Sequence, residues 1–305
     1  MSTFANLRKN TMDITSLVGA AEAASKSTSD FVKKSDDTRY WKPTVDKAGN
    51  GYAIFRFLPS KDSDQLPWAR YWNHAFKGPT GKWYIENSLT SIGLPDPVGE
   101  LNSKLWNSGI ESDKEQARDQ KRKLHYVSNI LIISDTANPA NEGKVFLFEY
   151  GKKILDKIKD VMQPQFPDEK PLNPFDFWTG ADFVMKIRNV EGYRNYDKSE
   201  FKSTSSLLDG DDEKLETVFN KMYDLEEFTD AKNFKTYDEL KTKLANVLGE
   251  SAPRTVRQEI AEDAPRAEAP QYKTAEAADV YEDHNVNVGN SSNDEDDTLS
   301  YFARL

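Results

Sequence analysis

The sequence predicts an α+β fold in which a small β-barrel carries helical additions. Short stretches rich in β-branched and aromatic residues recur through the first 190 residues, separated by turns of Gly, Pro and Asn. Apolar stripes with helical spacing lie between and after these stretches rather than alternating regularly with them, which disfavours a parallel βαβ sheet. The last fifth of the chain has few large aliphatic residues and is expected to lie outside the fold.

Six segments have the composition of strands. They are 52–58, ended by Pro59, and then 70–76, 83–85, 126–133, 145–150 and 183–190. The sequence Gly78-Pro79-Thr80-Gly81 predicts a tight turn between the second and third segments.

Helices are predicted where apolar residues recur three or four positions apart. Three such stripes lie in the second half of the chain: Ile154, Leu155, Ile158, Val161 and Met162; Leu215, Val218, Phe219 and Met222; and Leu240, Leu244, Val247 and Leu248. A fourth stripe, Ile14, Leu17, Val18 and Ala21, lies near the N-terminus, with Asp13 as a candidate cap. A single helix of this size is marginal alone, so it is expected to pack on its own core or on a neighbouring molecule.

Charge and composition divide the chain into a basic N-terminal arm (1–34), a folded core (35–250) and an acidic tail (251–305). The chain has a formal net charge of −10, and the tail holds 12 acidic and 5 basic residues. Such a segment cannot bury enough apolar area to offset its chain entropy, so we expect disorder. It ends in four acidic residues (294–297) and then a few large apolar residues, as a peptide that docks on protein partners would. A solubilising tail, or one that competes with nucleic acid for a basic surface, remains an alternative.

Several classes of protein are excluded by what the sequence lacks. It has no cysteine, three scattered histidines and no apolar run long enough to cross a membrane. The segment 78–82 lacks the spacing of a phosphate-binding loop, and no dinucleotide, zinc-protease or serine-hydrolase motif is present. The acidic run 209–213 could hold a divalent cation in a nucleic-acid enzyme, but it fits a turn and the first turn of a helix better. We expect no enzyme.

Aromatic and basic residues occur together in a pattern typical of single-strand binding. One example is the basic run Lys121-Arg122-Lys123, which comes shortly before Tyr126. Lys104 and Trp106 are two positions apart, and in Tyr193-Arg194-Asn195-Tyr196 two aromatic residues flank two polar ones. Cations neutralise phosphates and release counterions, and exposed rings stack on unpaired bases at about 1–3 kcal/mol each. The pair Tyr193 and Tyr196 is expected to be exposed.

Several longer stretches resemble the single-stranded DNA-binding, helix-destabilising proteins of T-even-type bacteriophages. The stretches are 50–61 (NGYAIFRFLPSK), 73–76 with 81–86 (NHAF, GKWYIE), 121–123 with 129–132 (KRK, NILI), 141–146 (NEGKVF), 151–154 with 156–158 (GKKI, DKI) and 192–197 (GYRNYD).

The resemblance implies an OB-fold β-barrel core with a DNA groove, a basic N-terminal arm for cooperative self-association, and an acidic tail read by replisome and recombination proteins. It implies a sequence-independent protein of phage DNA replication, recombination and repair, in the cytoplasm of the infected bacterial host. An RNA-binding regulator using the same groove is the alternative. By position, the DNA-binding residues are Arg56, Trp106, Lys121, Arg122, Lys123, Tyr126, Tyr193 and Tyr196, and the self-association residues of the arm are Arg8 and Lys9.

The sequence departs from the family pattern at several positions. Leu124 and His125 stand where the family has two hydroxyl residues after the basic cluster, and the arm carries only a partial copy of that motif, Arg8-Lys9-Asn10-Thr11. Val127 stands where the family has a tryptophan. The family binds zinc through one histidine and three cysteines, of which His74 remains while Ser88, Asp96 and Gly99 occupy the cysteine positions. These residues do not form a zinc site, so no cofactor is expected. Apolar residues of 92–98 are expected to pack where the metal would hold the loop 87–101.

Overall fold

The computed structural model describes Phe4 and residues 13–24, 37–62 and 64–249. The predicted tip of the arm, with Arg8 and Lys9, and the predicted disordered tail 251–305 lie outside the described residues.

Eight strands form one sheet whose strand-to-strand pairings are antiparallel. They are β1 (Gly51–Phe57), β2 (Ala69–Lys77), β3 (Trp83–Asn87), β4 (Lys123–Ser134), β5 (Val145–Tyr150), β6 (Ala181–Val190), β7 (Tyr193–Asn195) and β8 (Glu200–Thr204). The order is β3-β2-β4-β1-β6-β7, with β5 added to β4 and β8 to β6.

Strand β4 connects the parts of the sheet. One of its edges pairs with β5, from Tyr126 to Leu131. The other edge pairs first with β2, from Lys123 to Val127, and then with β1, from Ile130 to Ser134. One strand therefore joins the β2–β3 hairpin to the rest of the sheet.

In the described ranges from residue 13 onward, six α-helices accompany the sheet. They are α1 (Ile14–Ala24), α2 (Pro97–Trp106), α3 (Glu111–Asp119), α4 (Lys152–Met162), α5 (Asp212–Lys221) and α6 (Tyr237–Leu248). The predicted α+β class and the four apolar stripes are confirmed. Helices α2 and α3 were not predicted, because α2 lies partly in a segment taken as a loop and α3 buries a single residue, Ala117.

The core is built around aromatic rings on the sheet. Phe55 lies 5.2 Å from Phe57 and 5.1 Å from Phe148, measured between ring centroids. Leu17 and Ala21 of α1, both at most 1% exposed, belong to the same cluster as the apolar stripe of α4. The N-terminal helix therefore packs on its own core, which decides between the two alternatives that the sequence left open.

Helix α6 covers one face of the β2–β3 hairpin. It begins with a capping box between Thr236 and Glu239 and packs Leu240 and Leu244 in one cluster with Tyr84 of β3. At Gly78 the backbone approaches so closely that a Cβ atom would lie 2.2 Å from the Val247 carbonyl oxygen. The hairpin is thus held against α6 at its turn as well as along its strands.

The acidic run 209–213 serves as a turn and a helix start, as predicted. The Asp211 carboxylate accepts hydrogen bonds from the backbone N–H groups of Glu213 (3.1 Å) and Lys214 (3.2 Å), which caps α5. Within the described ranges, no three His, Cys, Asp or Glu side chains gather as a set of metal ligands. None of the helices described here is long and apolar enough to cross a membrane.

Candidate nucleic-acid interface

Arg118, in the last turn of α3, and Arg122, in the segment that joins α3 to β4, each lie over a tryptophan ring. The Arg118 guanidinium carbon is 5.3 Å from the Trp106 ring centroid, and that of Arg122 is 4.9 Å from Trp72. Arg70, two residues before Trp72 on β2, also lies over the Trp72 ring, at 4.6 Å. Two arginine–tryptophan stacks are therefore connected by a short stretch of chain.

Backbone hydrogen bonds hold these stacks in place. The carbonyl oxygen of Gln120, midway between the two arginines, accepts from His74 Nδ1 (2.8 Å) and from Asn102 Nδ2 of α2 (3.2 Å). The backbone N–H of Trp72 donates to Ser91 Oγ at 2.8 Å, and its carbonyl accepts from the Ser88 N–H at 2.9 Å. Hydrogen bonds therefore connect β2, α2 and the segment that follows α3 at this point.

A stacked guanidinium keeps its capacity to bind phosphate. Its N–H groups lie in the plane of the group, so stacking on an indole uses a flat face and not a donor. The arrangement therefore places guanidinium groups beside large aromatic rings, which is the combination that binds single-stranded nucleic acid. The Arg118 guanidinium also donates to a Glu111 carboxylate oxygen at 2.9 Å.

Four of the predicted DNA-binding residues meet here. Trp106 closes α2, and Lys121, Arg122 and Lys123 lead into β4; all four side chains are partly exposed. The sequence reasoning missed Arg70, Trp72 and Arg118. A signal was present, since Arg70 and Trp72 are two positions apart on one strand and therefore share a face, but the segment was interpreted only as a strand.

Arg56, which the family resemblance assigns to the DNA-binding residues, is buried in the structure. Its side chain is 1% exposed and forms an ion pair with Asp182 (2.9 Å), while its other donors reach the Ser205 carbonyl and hydroxyl oxygens. Burial lowers the pKa of Arg56, and the Asp182 carboxylate opposes that shift. Because the neighbouring β1 positions Phe55 and Phe57 are wholly buried, this part of β1 lies inside the molecule, with Arg56 next to the start of β6.

Tyr126 is also buried rather than exposed. It is 0% exposed and stacks on Tyr150 of β5 at 5.7 Å, and burial raises the pKa of its phenol. In this structure it presents no ring face to a base.

The hairpin of β6 and β7 separates the two remaining tyrosines. Tyr193 is 79% exposed, whereas Tyr196 is 8% exposed and belongs to the main core cluster, which corrects the expectation that both rings are exposed. Burial raises the pKa of Tyr196, and Arg194 opposes that rise. In the sheet order, β1 and β6 stand between β4 and β7, so this hairpin does not pair with β4.

The residues at the family's zinc positions do not fit a zinc ion. Both ring nitrogens of His74 face acceptors, since Nδ1 meets the Gln120 carbonyl and Nε2 lies 3.2 Å from an Asp96 carboxylate oxygen. The Asp96 carboxylate also caps α2 by accepting from the N–H groups of Val98 (3.0 Å) and Gly99 (3.1 Å). Zinc needs a free lone pair on the imidazole and further Cys, His or carboxylate ligands, so we derive no step through a metal.

The fold and this surface have the features of a nucleic-acid-binding protein. Comparison with known proteins agrees. The family model described as gp32 DNA binding protein like matches residues 49–248. A single-stranded DNA-binding protein of Enterobacteria phage T2 is 43% identical over 222 residues, 72% of each chain. Its counterpart from Enterobacteria phage T4 is 42% identical over 219 residues, 70% of this chain and 72% of the relative.

The chain therefore belongs to the gp32-like family of DNA-binding proteins. This confirms the resemblance to the T-even-type phage proteins. It also confirms that the protein is not an enzyme, because the family is one of binding proteins.

Proposed function

We propose that this protein binds single-stranded DNA cooperatively and without regard to sequence, in phage DNA replication, recombination and repair in the cytoplasm of the infected bacterial host. The observation that carries the proposal is the pair of arginine–tryptophan stacks joined by residues 118–122. The relatives reported above, named for single-stranded DNA, support it. In this proposal the antiparallel sheet is an OB-type barrel and the stacks line its groove.

DNA is proposed rather than RNA because the relatives reported above are named for DNA. Competition between oligo-dT and oligo-rU of equal length measures the preference directly. We expect the DNA oligomer to displace the RNA oligomer at lower concentration.

The central test is a titration of the full chain with oligo-dT at several salt concentrations, followed by tryptophan fluorescence. We expect saturable quenching, from rings that stack on bases, and an affinity that falls steeply with salt, from phosphate neutralisation. The double variant Arg118→Gln with Arg122→Gln should weaken binding and flatten the salt dependence. Absence of binding at low salt would refute the proposal.

We further propose that Arg8 and Lys9 mediate contacts between neighbouring copies and that the tail 251–305 is read by replication and recombination proteins. Deleting the tail removes a net charge of −7, so affinity for DNA should rise, most at low salt. An equal or lower affinity of the shortened chain would contradict the idea that the tail competes with DNA for the basic surface.

No zinc is required in this proposal, and a chelator should leave the thermal midpoint unchanged.

A further inference from the structure

The β2–β3 hairpin presents a tryptophan to solvent. Along β3, Trp83 is 57% exposed, Tyr84 is buried and Ile85 is 44% exposed. Successive side chains of a strand point to opposite faces, so Tyr84 packs toward α6 while Trp83 and Ile85 point away from it. A large exposed ring on a hairpin that is held rigidly from behind is available for contact with a ligand.

Strand register places Trp83 on the same face as Lys123, the first residue of β4, and on the opposite face of β2 from Trp72. Trp83 pairs with Lys77 of β2, and Lys123 pairs with Asn73 of the same strand. Directly paired residues share a face, and residues 73 and 77 of β2 share a face because they are an even number of positions apart. Lys123 and Trp83 therefore lie on one surface, about 13 Å apart along β2 and two strand spacings, or about 10 Å, apart across it.

The charges around Trp83 are positive. Lys77 lies directly opposite the ring and Lys82 precedes it, and both side chains are exposed. Glu86, the carboxylate of the β2–β3 hairpin, lies on the opposite face and is paired with Lys235 and Lys243 of the C-terminal region. This surface therefore attracts phosphate and has no acidic side chain of the hairpin beside it.

We propose that Trp83, with Lys77 and Lys82, is a further base-stacking subsite that continues the path of a single strand beyond Lys123. The inference rests on the proposed function and extends it to a surface that the sequence reasoning did not assign. A nucleic acid strand is the occupant we favour over a protein, because Trp83 and Ile85 alone offer far less apolar area than the 1,000 Å² or so of a stable protein interface. The two flanking cations match phosphates.

The test compares binding of labelled oligo-dT to the full chain and to three variants by fluorescence anisotropy. Trp83→Ala should lower the affinity roughly 5- to 100-fold, the range expected for loss of one stacked base, and Trp83→Phe should restore most of it. Phe166→Ala is the matched control, since Phe166 is 65% exposed and lies in the loop after α4. It should bind like the wild type.

A second measurement addresses the lysines. The double variant Lys77→Gln with Lys82→Gln should reduce the slope of log affinity against log salt by about 0.7 for each phosphate that a lysine no longer neutralises. Thermal midpoints of all variants should match that of the wild type, because these side chains are exposed.

The outcomes separate this inference from the proposed function. If the wild type fails to bind oligo-dT, the proposed function fails. If the wild type binds and Trp83→Ala binds equally well, the function stands and the stacking subsite is refuted. If Trp83→Ala changes the oligomeric state but not the affinity for a short oligomer, the surface is a protein interface and the inference is likewise overturned.

Discussion

Two buried polar pairs show how single residues acquire roles that their position in the sequence does not reveal. Arg56 of β1 and Asp182 of β6 form one pair, and His74 of β2 and Asp96, the N-cap of α2, form the other. Both pairs have side chains at least four-fifths removed from solvent. A buried charge that loses its partner is costly, so each pair is expected to stabilise the fold more than it contributes to binding.

Replacing Arg56 tests this for the residue that the family resemblance assigned to DNA. Arg56→Gln leaves Asp182 without its partner, and we expect the free energy of unfolding to fall by about 3 kcal/mol. The affinity of the folded protein for oligo-dT should change little. Urea denaturation and anisotropy titration measure the two effects, with the exposed Arg188→Gln as a control for loss of charge. If Arg56→Gln were as stable as the wild type but no longer bound DNA, the result would instead support a direct contact between Arg56 and DNA.

Asp96 predicts a dependence of stability on pH. Burial disfavours its charged form, but the hydrogen bond and charge of His74 and the N–H groups of Gly99 and Leu89 outweigh that and lower its pKa to about 2. The pKa is lower in the folded than in the unfolded chain, so the stabilisation is complete above about pH 4 and is lost as the pH falls toward 2.

Asp96→Asn should keep the cap of α2, because Asn is a good N-cap, but lose this charge-dependent stability. We expect a free energy of unfolding about 2 kcal/mol lower at pH 7 and a flatter profile between pH 4 and 2. Asp119→Asn, on the exposed end of α3, is the control. Identical pH profiles for Asp96→Asn and the wild type would show that the pair contributes nothing.

At the scale of elements, the β6–β7 hairpin separates two tyrosines that look equivalent in the sequence. Its two-residue loop has positive φ angles at Glu191 (53°) and Gly192 (86°), as a type I′ turn requires. Val190 pairs with Tyr193 directly beside this turn, which leaves the Tyr193 ring at the exposed end of the hairpin. Tyr196 follows β7, where the chain returns to the core.

Alanine substitutions should separate the two roles. Tyr193→Ala should weaken the free energy of binding to oligo-dT by about 1–3 kcal/mol, the contribution of one stacked base. It should leave the thermal midpoint unchanged. Tyr196→Ala removes a buried ring and should lower the free energy of unfolding by about 3 kcal/mol. The hypothesis fails if Tyr193→Ala binds DNA as tightly as the wild type does.

At the scale of the whole molecule, the N-terminal helix is part of the folded core. Leu17 and Ala21 are buried with Ile154 and Leu155 of α4, so a deletion of residues 1–20 would damage the fold as well as any contact between copies. Substitution of Arg8 and Lys9 is the cleaner test of cooperative binding.

Leu17→Ala measures how much this helix contributes. We expect a loss of about 3 kcal/mol in the free energy of unfolding, typical of a buried leucine replaced by alanine. Leu94→Ala, at a position 51% exposed, is the matched control and should cost much less. If the two variants were equally stable, the helix would be dispensable for the core.

The sequence by itself determined the local structure and the family. Strand composition located β1 to β6 and helical spacing located α1, α4, α5 and α6, because both patterns record which side of an element is buried. The cluster 121–123 and Trp106 were found as a basic and aromatic surface, since local composition is enough to mark them. Helix α3 was not predicted from the sequence because it buries only Ala117, and a helix that is polar on all sides shows no apolar stripe.

Only the tertiary structure decided which rings and charges face solvent. Arg56, Tyr126 and Tyr196 share the residue types of a DNA surface, yet strand pairing and packing place all three inside. The pairing of β2 with β4 brings Arg122, just before β4, onto Trp72 of β2, and the pairings of β2 set Trp83 on the face of Lys123. These contacts join residues tens of positions apart in the sequence. A sequence pattern reports how a residue relates to its neighbours along the chain, but it does not report which residue lies opposite it on a paired strand.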